Sequence, residues 1–131
     1  MEIKKNKYIK IQDLELYKLA RELSRIGWEI YSELNWQDKK IMGDQFIEAT
    51  DSFGSNTTEG YSRYHYLDKI KFMYNARASL SEANDFWIEI MTERKKVKIE
   101  KYNKYKTIGE KSKIKLQNFI SSIYKSRDNC K

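Results

Sequence analysis

Residues 66–93 read Y-L-D-K-I-K-F-M-Y-N-A-R-A-S-L-S-E-A-N-D-F-W-I-E-I-M-T-E, and their spacing decides the fold. Tyr66, Ile70, Met73, Tyr74, Arg77, Leu80, Asn84, Trp87, Ile88 and Met91 recur at steps of three and four. That is the period of an amphipathic helix, not the two-residue alternation of a strand. The spacing predicts a helix from Tyr66 to Glu93 with those residues on its inner face. Ala76, Ala78, Ser79 and Ser81 offer small surfaces where a second helix can come close.

Working outward, R-K-K-V-K at residues 94–98 marks a turn, and a further helix is expected from Ile99 to Arg127. Its stripe runs through Tyr102, Tyr105, Ile108, Ser112, Leu116, Phe119, Ile120, Ile123 and Tyr124, with Gly109 as a point of interruption. Upstream, Leu16, Ala20, Leu23, Gly27, Ile30 and Leu34 define a helix over residues 11–34, widened by Tyr17, Trp28 and Tyr31. Gly27 costs about 1 kcal/mol of helix propensity, which close packing against a neighbouring helix would explain. Asn35 to Lys39 reads as a join, and Met42, Phe46, Ala49 and Phe53 begin the next helix. A kink is expected near Gly54, with helix resuming towards Gly60. Four amphipathic segments with short joins predict an all-α fold, an antiparallel up-down-up-down four-helix bundle. The organisation expected is a basic arm at 1–10, the bundle at 11–127 and a tail at 128–131.

Composition agrees with long helices. The 131 residues fit one domain, include no proline and only five glycines, and are 40% hydrophobic, which excludes general disorder. Cys130 is the sole cysteine, so neither an internal disulfide nor a cysteine metal cluster can form in one chain. The opening M-E-I-K-K-N-K-Y-I-K-I lacks the apolar core of a signal peptide, and no run is long and apolar enough to span a membrane. A cytoplasmic protein with no membrane partner is expected.

The net charge of +7 is unevenly placed. Residues 94–131 carry thirteen Lys and Arg against three Asp and Glu, an excess of +10, and the first ninety-three residues therefore sum to −3. Such a segment attracts nucleic acid, another polyanion or an acidic protein, or else forms a solvated lysine-rich face. Lys101, Tyr102, Lys104, Tyr105 and Lys106 interleave cations with aromatic rings, the pattern of phosphate contact with base stacking. The competing and preferred reading places both tyrosines in the core with lysines around the rim.

G-S-N-T-T-E-G-Y-S-R at residues 54–63 is the other notable stretch. It lacks the G-x-x-x-x-G-K-[ST] phosphate loop, and no strand precedes it. In a helix Asn56, Glu59, Gly60 and Arg63 share one side, and Glu59 with Arg63 forms an i,i+4 pair worth roughly 0.2–0.5 kcal/mol when exposed. A polar packing joint is the preferred reading and a partner contact the alternative. His65, the only histidine, has no positioned nucleophile beside it, and Glu82, Glu89 and Glu93 lack the paired Glu-x-x-His of a di-iron bundle. No catalytic residue, metal site or cofactor is expected. An enzyme would need a polar pocket between subunits around Asn56, Glu59 and Arg63. The thiol of Cys130 is expected to be inert.

Q-F-I-E-A-T-D-S-F-G-S-N-T-T-E-G-Y-S-R at 45–63 resembles the run ending N-x-x-E-G-x-x-R of the bacterial 23S rRNA intervening-sequence proteins, also called S23 ribosomal proteins. F-M-Y-N-A-R-A-S-L-S-E at 72–82 is similar to the family's aromatic-x-x-x-A-x-G-S-L-x-E segment, and D-L-E-L-Y-K-L-A at 13–20 to its opening. Ile47 and Glu48 stand where the family often has arginines, Gly54 where proline is common and Ala78 where glycine is common. The resemblance spans residues 11–127 and implies an antiparallel four-helix bundle, commonly a ring-like homopentamer. It extends to accessory proteins of diversity-generating retroelements, basic pentamers that bind reverse transcriptase and nucleic acid. The expectation is a noncatalytic oligomeric interaction module, with RNA, DNA or a ribonucleoprotein as partner. The alternative is a protein-only scaffold.

Overall fold

The computed structural model describes residues 9–129; the arm is therefore described only from Ile9, and Cys130 lies outside the described residues. Among these residues the chain is all helix and turn, without strands. A single 3-10 turn at Ile11–Asp13 leads into α1 (Glu15–Ser32). α2 spans 36–61, α3 spans 66–93, and α4 is Ile99–Asn129.

The first join is shorter than expected. Asn35 has extended backbone, and its side-chain oxygen accepts from the Asp38 N–H at 2.8 Å. This satisfies one of the orphan donors at a helix start, so α2 begins at Trp36. Its irregularity falls at Lys39–Gly43, a π-helical turn, and not at Gly54. The α-helix Asp44–Tyr61 passes through Gly54 without a break, because a glycine inside a packed helix costs only about 1 kcal/mol. α4 is likewise unbroken at Gly109. α3 carries a second π-helical turn at Glu82–Trp87.

The core is one cluster drawn from all four helices, with Leu23, Phe46, Phe53, Met73, Leu80, Ile88, Met91 and Tyr105 at its centre. Three of the glycines lie where neighbouring segments approach closely. A Cβ at Gly27 would lie 3.1 Å from Thr50 Cγ2, one at Gly43 2.7 Å from Leu34 Cδ1, and one at Gly60 2.8 Å from Phe72 Cβ. The inner faces differ in detail from the sequence pattern. Trp28 is 57% exposed, and Leu19 and Ile26 widen the stripe of α1 in its place. On α3, Ala76 and Ala83 are buried, whereas Tyr74 and Arg77 face outward.

Buried hydroxyls are satisfied within their own helices. Thr50, Thr57 and Ser112 donate to the carbonyls of Phe46, Phe53 and Ile108 at 2.8–2.9 Å. With the Thr50 proton so used, the Tyr105 hydroxyl donates to Thr50 Oγ1 at 2.7 Å. Polar residues can therefore occupy the core without stranded donors.

Candidate nucleic-acid interface

The basic segment begins where α3 ends. Lys95 has φ 63°, the left-handed region. Its N–H reaches the Thr92 carbonyl at 2.9 Å, and the Lys96 N–H reaches the Met91 carbonyl at 2.9 Å. These paired bonds close a helix C-terminus in the Schellman manner, in which the left-handed residue is usually glycine. A lysine there costs roughly 1–2 kcal/mol of backbone strain. The turn is tied to the start of α2 by Lys96–Asp38 at 3.0 Å and by Arg94 Nη1 donating to Met42 Sδ at 3.6 Å. Beside it lies an open groove of about 760 Å³, lined by Glu33, Lys95, Lys96, Val97, Lys98 and Ile99 among others.

The five residues singled out on α4 do not form one surface. Tyr105 is wholly buried, its ring 5.2 Å from that of Phe46, which corrects any role in base stacking: no face is left for a base. Burial also pushes its phenol pKa well up, since the anion would be desolvated. Tyr102 is half-buried and donates to Glu89 Oε2 at 2.7 Å, a bond that raises its pKa. Lys101 is held by Glu29 at 2.7 Å; the bond raises the lysine pKa and lowers that of the carboxyl. Lys106 lies 3.0 Å from Glu89 and 2.7 Å from the main-chain oxygen of Asn84. Lys104 is exposed and makes no ion pair among the described residues.

Lys106 belongs to a polar seam between α3 and α4 that the sequence did not announce. Asn84, fully buried in the π-helical turn, donates through Nδ2 to Glu110 at 2.8 Å. Burial works against the charge on Glu89, but hydrogen bonds from Tyr102 and Lys106 hold its carboxyl below the usual value. Lys113 closes the seam, 2.5 Å from Asp85 and 3.5 Å from Glu110. Burial disfavours its charge, yet Asp85 and Glu110 raise its pKa. These cations support the fold and are poorly placed to leave their carboxylates for a ligand. Within residues 94–129, the cations without an ion pair among the described residues are Arg94, Lys95, Lys98, Lys104, Lys111, Lys125 and Arg127.

Asn56, Glu59, Gly60 and Arg63 make their contacts along their own stretch of chain and against α3. Asn56 donates to the Ser52 carbonyl of its own helix at 2.9 Å. Arg63 pairs with Glu59 at 2.6 Å while its guanidinium lies 4.7 Å from the centroid of the Phe72 ring. Gly60 is buried against Phe72 and Met73, so a side chain there would push α3 away. His65 precedes α3 as an exposed residue beside Tyr64. Among the described residues no group of three or more His, Cys, Asp or Glu could hold a metal ion, and no helix is long and apolar enough to cross a membrane.

Comparison with known proteins agrees with this architecture. A crystal structure from Bacteroides thetaiotaomicron VPI-5482, described as a protein of unknown function from the S23 ribosomal protein family, has a similar fold with TM-score 0.74 and 20% identity. The match covers 81% of this chain and 95% of that one. No curated protein matches the sequence significantly. Residues 12–118 match the family model described as 23S rRNA-intervening sequence protein, and the chain belongs to that family.

Proposed function

We propose that this chain is a noncatalytic, self-associating interaction module that binds RNA through a basic surface centred on the turn at 94–98. The observation that carries this reading is the backbone of Lys95. A cation sits in the left-handed position where glycine would be unstrained, beside a groove also lined by Lys96 and Lys98. Backbone strain retained at an exposed charged turn is a pointer to function. Lys104 and Lys111 extend the unpaired charge along α4. Lys101 and Lys106, held by carboxylates, and Tyr102, held by Glu89, make no direct contacts.

The helices are read as antiparallel, up-down-up-down. Advancing along α1 and just past its end, the contacts Ala20–Gly54, Gly27–Thr50 and Leu34–Gly43 step backwards along α2. The pairs Tyr74–Tyr124, Asp85–Lys113 and Glu89–Tyr102 do the same for α3 and α4, and Glu15–Lys115 with Glu29–Lys101 for α1 and α4. Assembly as a homopentamer would multiply weak electrostatic sites into useful avidity. Light scattering on the purified protein tests the count; a monomeric mass rejects it.

Fluorescence anisotropy with structured RNA, single-stranded RNA and duplex DNA at several salt concentrations tests the binding reading. RNA binding with a steep salt response is expected. Replacing Lys95, Lys96 and Lys98 with glutamine should flatten the logarithmic salt slope by about 0.7 per lost single-strand phosphate contact. Preference for duplex DNA would reject RNA as the substrate class. No binding at low salt would favour a protein-only scaffold, the reading supported by exposed Trp36, Ile41 and Trp28, at 72%, 64% and 57%.

A further inference from the structure

Away from the turn, α3 and α4 bring together a second group of cations and rings. Tyr74 and Tyr124 share a hydroxyl–hydroxyl hydrogen bond at 2.7 Å. The Arg77 guanidinium lies 4.7 Å from the centroid of Tyr74, and that of Arg127 lies 5.8 Å from the centroid of Tyr124. Arg77 donates onward to the neutral Gln117 side chain at 3.0 Å. Neither guanidinium pairs with a carboxylate among the described residues, and Arg127 Nε is buried without a hydrogen-bond partner. The contrast with the Asn84–Lys106 seam on the same two helices is direct, since there each lysine has an acid within 4 Å.

We infer that Arg77, Tyr74, Tyr124 and Arg127 form a contact site for single-stranded RNA, separate from the turn at 94–98. This rests on the RNA-binding reading above and names the polymer form and a second set of residues. The linked tyrosine hydroxyls tie the rings across two helices, and each ring carries a guanidinium. Planar guanidinium groups offer forked donors to phosphate and a flat face on which a base can stack. Two such units side by side suit a flexible strand whose bases are free to turn onto them, not a duplex whose bases are stacked inside. With no carboxylate to displace, phosphate binding leaves no buried acid unpaired. The hydrogen bond with Tyr74, and then burial, raises the Tyr124 pKa.

The test compares wild-type protein with the double variant Arg77→Gln/Arg127→Gln and the triple variant Lys95→Gln/Lys96→Gln/Lys98→Gln. The probes are labelled oligo-A and oligo-U of equal length and a hairpin duplex RNA, with circular dichroism to verify folding. The site predicts that the arginine variant loses on the order of 10-fold in oligo-A affinity. It also predicts a salt slope flatter by about 1.4. Duplex binding should change less than about 2-fold. Arg77→Lys/Arg127→Lys keeps the charge and serves if the glutamine pair does not fold; it should restore the salt slope but not the oligo-A affinity. Wild-type RNA binding unaltered by either arginine variant overturns the site and leaves the turn reading standing. Failure of the wild type to bind any RNA overturns both.

Discussion

Gly109 of α4 packs directly on the buried side chain of Asn84 in α3, so that a Cβ at Gly109 would lie 2.7 Å from Asn84 Cγ and closer still to its oxygen. Asn84 Oδ1 has no hydrogen-bond partner and faces the glycine backbone. The glycine is therefore held by a neighbour and not by a break in the helix. Gly109→Ala should gain about 1 kcal/mol of helix propensity but lose more to overpacking, typically 1–3 kcal/mol. Urea unfolding should show a net loss. In the background Asn84→Ala the added methyl should become neutral or favourable, and a double-mutant cycle measures that coupling.

Gly60 and Gly54 sit in one helix and should respond oppositely to alanine. At Gly60 the new methyl would meet Met73 Cε at 2.7 Å and Phe72 Cβ at 2.8 Å, and the second cannot swing aside. At Gly54 it would meet only Ala20 Cβ, at an ordinary 3.4 Å. Gly60→Ala is expected to destabilise by roughly 1–3 kcal/mol and Gly54→Ala to stabilise by up to about 1 kcal/mol. Thermal and urea melts of the two variants decide it.

Lys106 and Lys95 should separate stability from binding. Lys106→Met removes the donor to the Asn84 carbonyl and the partner of Glu89, and should cost about 1–3 kcal/mol in unfolding experiments. Its effect on RNA affinity should be small. Lys95→Gly relieves the left-handed strain and should stabilise by roughly 1 kcal/mol, while weakening RNA binding.

Tyr105 and Glu89 contribute to opposite edges of the pH profile. Burial raises the Tyr105 pKa above its ordinary 10.0, so the unfolded chain ionises first as pH rises. Its contribution is intact below pH 10 and declines above it, and Tyr105→Phe should flatten that alkaline loss. The Glu89 pKa is lowered from 4.5 by its bonds to Tyr102 and Lys106, against burial. Its contribution is present above that value and declines as pH falls through the lowered one. Glu89→Gln should give a shallower acid limb.

The helical periods, the turn at 94–98 and the family motifs were all legible in the sequence, because a 3.6-residue repeat of apolar side chains leaves few other ways to bury them. The close approach at Gly60 was legible too, since glycine between polar residues on a helix face invites a neighbour. Which lysines are free was not. Lys104 and Lys106 are two positions apart on one helix, yet one points to solvent and the other into a seam with Glu89 and Asn84. Nor did the spacing reveal that Tyr74 and Arg77, on the flank of the α3 stripe, face outward to meet Tyr124 and Gln117, because a broad three-and-four pattern does not say which flanking positions a neighbouring helix covers. The sequence by itself determined four amphipathic helices and where the positive charge lies along the chain. Only the tertiary structure decided which charges are neutralised, because ion pairing depends on side chains from different helices meeting within a few ångströms, a relation that no local period encodes.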